Sequence, residues 1–83
     1  MNREEIEKIV IDAVADELGV NADELSADTN LENDMRADSL DAVEIIITLE
    51  REFGVKFPDH DIFNTDLHTI ADITKFVEDH LNA

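Results

Sequence analysis

The chain has 83 residues, enough for one small hydrophobic core that buries roughly 60% of the surface its unfolded form exposes, and too few for a second. It contains no cysteine, which excludes a disulfide framework, a thiolate metal site and thiol redox chemistry of the protein's own. Its 22 Asp and Glu against 6 Lys and Arg give a net charge of −16, a surface that repels nucleic acid and anionic membranes and favours partners with basic patches. The opening stretch MNREEIEKIV places acids where a secretory signal needs a basic patch and an unbroken apolar run, and no later segment resembles a membrane span, so a soluble, cytoplasmic monomer is expected.

Asn2, with Glu5 three residues later, predicts a capped first helix whose face of Ile6, Ile9, Val10, Ala13, Val14 and Leu18 runs to a stop at Gly19. From Val20 to Ala37 the periodicity breaks into Asn, Asp, Ser and Thr, with apolar anchors at Leu25, Leu31 and Met35 that predict a long loop tied to the core. A second helix is expected from Asp38 or Ser39 to about Phe53, with Gly54 after it. Pro58 suits the first turn of a short third helix reaching about Asn64. Thr69 and Asp72 then cap a fourth, with Ile70, Ile73, Phe76, Val77 and Leu81 as its stripe. The expected fold is all-α: a small four-helix bundle in a single domain over residues 1–83, with a long first loop and a short third helix.

The second helix has two apolar sides. At about 100° per residue, Ala42, Ile45, Ile46, Leu49 and Phe53 fall together as a core face. Leu40, Val43 and Ile47 fall opposite, bordered by Glu44, Glu50 and Arg51, with Asp41 further round. That second row is either covered by the short helix and loops or left open to bind a partner. Ser39, at the helix start, is either an N-cap or a hydroxyl held beside free backbone amides and the positive end of the helix dipole, where a phosphate ester is favoured. His60, His68 and His80 sit in the chain's second half without the arrangement of a triad, so no catalytic residue is assigned and Ser39 is at most an attachment point.

The stretch DMRADSLDAVEIIITLEREFG, read with the helix order, the long first loop and EFGVKFPD ahead of a short helix, resembles the prosthetic-group segment of the acyl carrier proteins, and the similarity runs through essentially the whole chain. The resemblance implies a non-enzymatic carrier of fatty acid synthesis. Its cofactor is 4′-phosphopantetheine, transferred from coenzyme A to Ser39 between Asp38 and Leu40, and acyl groups travel as thioesters on that arm. It further implies that Leu40, Asp41, Val43, Glu44, Ile47 and Glu50 meet basic patches on a phosphopantetheinyl transferase and on acyl-handling synthase enzymes. Ile45, Ile46, Leu49, Phe53 and Ile62 would line an acyl pocket. A specialised carrier of a polyketide, D-alanyl or peptidyl pathway is the alternative. Three departures from the family pattern stand out: Arg36 where Gly is usual, Arg51 within an acidic run, and a segment DHDIFNTDLH about two residues longer than usual.

Other acidic helical modules fit less well. An EF-hand loop starting at Asp59 fails because Phe63 stands where an oxygen ligand is needed and Asn64 where Gly is, and the histidines lack the i, i+4 pairing of a helical zinc site, so no metal site is expected. The histidines are expected at the surface. A phosphocarrier would want basic groups round its acceptor, and only Arg36 is near Ser39. A bundle that merely docks a basic partner stays open on residue chemistry alone.

Overall fold

Each described α-helix of this chain starts where a short polar side chain meets an acid three residues on. In the computed structural model, which describes residues 1–58 and 67–82, Asn2 accepts from the Glu5 amide at 2.9 Å while Glu5 accepts from the Asn2 amide at 3.0 Å, opening α1, Arg3–Leu18. Gly19 ends it at φ 69°, ψ 34°, the left-handed cap that glycine adopts without a Cβ penalty. Asp38 and Asp41 repeat the reciprocal pair at the start of α2, Ser39–Phe53, and Gly54 closes that helix at φ 67°. Thr69 and Asp72 do the same for α3, Ile70–Leu81. Here burial alone would push the Asp72 carboxyl up, but the amides of Thr69 and His68, the Thr69 hydroxyl and the nearby His68 charge hold it below its ordinary value.

Among the described residues the fold is all-α: three α-helices and one 3-10 turn, Ala22–Glu24, in the first loop. The short third helix expected from Pro58 to Asn64 falls on residues 59–66, outside the described residues, so α3 is the helix counted fourth from sequence. No described helix is long and apolar enough to cross a membrane.

α1 is the central element and packs against both α2 and α3. The core gathers Ile6, Val10 and Val14 from α1, Ile45, Ile46 and Leu49 from α2, and Ile70, Ile73, Phe76 and Val77 from α3. Leu25 and Leu31 anchor the long loop in it as their pattern predicted, while Met35 is half-buried. The loop is also bonded to the N-terminus of α3. The amides of Ile70 and Ala71, which have no intrahelical acceptor, donate to the carbonyls of Thr29 (3.2 Å) and Ala27 (2.9 Å), and the Leu31 amide donates to His68 O at 2.9 Å. These bonds fix the approach of the chain to Ser39, because Ala37 N then donates back to Leu31 O at 2.9 Å.

Two expectations need correction. Ala42, placed on the core face by the helical wheel, is exposed: it shares the arc of Ile45, Ile46 and Leu49 but lies in the first turn of α2, nearer the helix start than any buried residue of that face. His80 is half-buried rather than superficial: its ring lies 4.4 Å from that of Phe76 and 5.2 Å from that of buried Phe57, with Nδ1 2.7 Å from Phe76 O. His68 is exposed as expected and lies 3.1 Å from Glu32, while His60 is outside the described residues.

Candidate functional site

The start of α2 is where the loop, the helix dipole and an exposed hydroxyl meet. Asp38, not Ser39, is the N-cap: its carboxylate accepts from Asp41 N at 2.9 Å, and Asp41 accepts in return from Asp38 N at 3.0 Å. Ser39 is therefore the first helical residue, exposed, and its hydroxyl is not consumed by capping. The first intrahelical bond runs from Ala42 N to Asp38 O at 3.1 Å, so among the described residues the amides of Ser39 and Leu40 have no acceptor and face outward with the dipole's positive end. Leu40 beside them is 74% exposed.

The backbone leading into this turn is itself unusual. Arg36 has φ 57°, the only positive φ on a non-glycine residue among those described, and its amide donates to Glu32 O at 3.2 Å. Side chains carrying a Cβ adopt that region at a cost of about 1–2 kcal/mol, which glycine avoids. The arginine thus occupies a glycine conformation three residues before Ser39.

Along α2 the outward residues separate by environment. Ile47 is 47% exposed, whereas its neighbour Ile46 is 3% exposed in the core. Val43, expected in the same open row, is half-buried. Glu44 is exposed and Asp41 half-buried. Glu50, expected among the acids that meet partners, is half-buried and its Oε2 accepts from Phe57 N at 2.8 Å, closing the turn after the helix. Ile45 and Leu49 are sealed in the core, Phe53 is half-buried against it, and Ile62 lies outside the described residues.

One acid at this site was not legible in the sequence. Glu17, in the last turn of α1, lies beside the start of α2, and its carboxyl is raised above its ordinary value by partial desolvation first, then by the charges of Glu44 and Asp41, a hydrogen bond with Asp41, and Asp16. Only the packing of α1 on α2 brings these carboxylates together, and helical periodicity carries no signal for that. Between the same helices, Ile9, Asp12, Ala13, Asp16, Thr48 and Glu52 line an open cleft of about 330 Å³.

Comparison with known proteins agrees with this geometry. Residues 8–77 match the family described as the phosphopantetheine attachment site. The chain is 39% identical over 77 residues to the acyl carrier protein of Porphyromonas gingivalis, covering 93% of this chain and 96% of that one. It is 38% identical over 78 residues to the acyl carrier protein of Prochlorococcus marinus, covering 94% and 95%. A third, the acyl carrier protein of Lactobacillus acidophilus, is 38% identical over 80 residues, covering 96% and 98%.

Proposed function

Starting from a chain that belongs to the acyl carrier proteins, we propose that Ser39 is the residue esterified by 4′-phosphopantetheine and that the protein acts as a carrier rather than a catalyst. The observation that carries this reading is the division of labour at the helix start: Asp38 does the capping, which leaves the Ser39 hydroxyl exposed beside two free amides. Those amides and the helix dipole favour the negative charge of a phosphodiester at Ser39 Oγ, so the residues present fit the group. When bound, the arm supplies a terminal thiol that holds acyl groups as thioesters. The protein's own part is to present the hydroxyl to a transferase and the loaded arm to acyl-handling enzymes.

Leu40 and Ile47, with Asp41 and Glu44 between them, form the surface we assign to those enzymes, with half-buried Val43 at its edge. Exposed apolar anchors ringed by carboxylates suit a small transient interface with a basic partner. The inward face of α2 supports the acyl-pocket reading in a restricted sense. Ile45, Ile46 and Leu49 are at most 3% exposed and packed on one another's neighbours, so a chain held there must displace existing core contacts. Fatty acid synthesis is the pathway we infer, supported by the acidic Asp38-Ser39-Leu40-Asp41 start of α2 and by the acidity of the whole chain.

Incubation with coenzyme A and a phosphopantetheinyl transferase, followed by intact mass measurement, tests the assignment. Wild type should gain one arm and Ser39→Ala none, with the variant still folded because the Ser39 hydroxyl it loses caps nothing. An unmodified wild type, or a modified Ser39→Ala, would overturn it. The acyl group on protein isolated from its native cell tests the pathway: a fatty acyl chain supports it, and an aminoacyl group moves the protein to the specialised carriers.

A further inference from the structure

The far end of the same helix and the turn after it carry two exposed cations that pair with no acid among the described residues. Ile47, Glu50, Arg51, Gly54, Val55 and Lys56 line a surface depression of about 410 Å³. Its one acid is engaged inward, since Glu50 holds the Phe57 amide at 2.8 Å. Its two cations, Arg51 and Lys56, are exposed, and among the described residues neither has a carboxylate within ion-pair distance. Of the other four Lys and Arg, Arg3 of α1 pairs with Glu78 at 3.5 Å and Lys75 of α3 with Asp79 at 2.8 Å, while Lys8 and Arg36 have no carboxylate within ion-pair distance among the described residues. In a chain with 22 acids and 6 Lys and Arg, Arg51 and Lys56 thus set two cations, unpaired among the described residues, beside the exposed Ile47.

Resting on the docking surface assigned above, we propose that this depression selects acyl-handling enzymes of mixed charge. Their docking patch places basic residues against Asp41 and Glu44 and a carboxylate against Arg51 and Lys56, with an apolar contact on Ile47 between them. Glu44 and Arg51 are seven residues apart on one helix, two turns or about 10.5 Å of rise, so the two contacts fall within one small interface. The arrangement also discriminates. A uniformly basic patch would meet Glu44 well and be repelled two turns later, so the cations act against the wrong partner as well as for the right one.

The test uses the loaded full chain and a purified acyl-condensing enzyme from the source organism, with wild type, Arg51→Glu, Lys56→Glu and Arg51→Gln compared by kcat/KM at low and high salt. Arg51→Glu and Lys56→Glu should each lower kcat/KM on the order of tenfold through KM, with the loss shrinking at high salt, and Arg51→Gln should fall between. Replacing the facing carboxylate of the enzyme by lysine should restore Arg51→Glu and weaken wild type. Unchanged or improved kcat/KM in the charge-reversed variants overturns the inference. The two readings fail separately: if wild type does not take up the arm, the carrier assignment falls, whereas a loaded wild type that Arg51→Glu matches removes the charge selection alone.

Discussion

Ile46 and Ile47 are chemically identical, adjacent on one helix, and 3% and 47% exposed. The inward face of α2 to which Ile46 belongs holds the fold together, with Ile45 and Leu49 sealed against α1. The outward face works against stability at several points. It exposes Leu40 and Ile47, crowds Glu17 against Asp41 and Glu44, leaves Arg51 and Lys56 unpaired among the described residues, and follows a loop in which Arg36 takes a backbone conformation suited to glycine. The contrast teaches that exposure and local cost on one side of a helix are carried by close packing on the other. Large-to-small substitutions on the inward face should therefore cost far more stability than those on the outward face.

The largest effects belong inside. Leu49→Ala and Ile46→Ala remove fully buried side chains and leave cavities, and each should cost about 2–5 kcal/mol by thermal or urea unfolding. Ile47→Ala, one residue away, should cost less than about 1 kcal/mol, since about half its surface is already in water and alanine is the better helix former. Its effect should appear instead as slower loading by the transferase. Equal destabilisation by Ile46→Ala and Ile47→Ala would erase the distinction between the faces.

Next comes a gain. Arg36→Gly should raise stability by about 1 kcal/mol, because glycine relieves the φ of 57°, less some entropy lost from the unfolded chain. A melting temperature that falls would mean the arginine side chain repays its backbone cost through contacts within the fold. If stability rises while transferase kcat/KM drops, the residue is kept for partner recognition.

Much of this architecture was legible because its signals are local. The reciprocal pairs Asn2/Glu5 and Thr69/Asp72, the stops at Gly19 and Gly54, and the stripes of α1 and α3 all lie within a few residues of what they control. The placement of Ser39 was half legible: Asp38 and Ser39 are both good caps, and only the observed bond from Asp41 N to Asp38 decides between them. Sequence pattern failed where the deciding contact is distant. Ala42 and Val43 depend on where α1 lies against α2, and Glu50 on a bond to Phe57 across the turn. Glu17 becomes part of the site only through tertiary packing.

The smallest effect sharpens the comparison on the outward face through pH. In the folded protein the Glu17 carboxyl is raised above its ordinary value, so folding disfavours its charged form. At pH 7 that mismatch lowers stability. As pH falls through the raised folded value, the folded state takes up a proton before the unfolded one does, and stability increases until both are protonated below about 4.3. Asp72 runs the other way: its lowered value contributes stability above about 3.9, which is lost as pH falls through the folded value. Wild type should therefore melt higher at mildly acid pH than at pH 7, and lower again in stronger acid. Glu17→Gln should melt slightly above wild type at pH 7, because it removes one charge from the cluster with Glu44, Asp41 and Asp16. That advantage should narrow as the pH is lowered toward 4.3, and also as salt screens the cluster at neutral pH. A constant offset between the two proteins across pH would mean that Glu17 acts by packing rather than by charge, and the outward face would lose its electrostatic cost at that position.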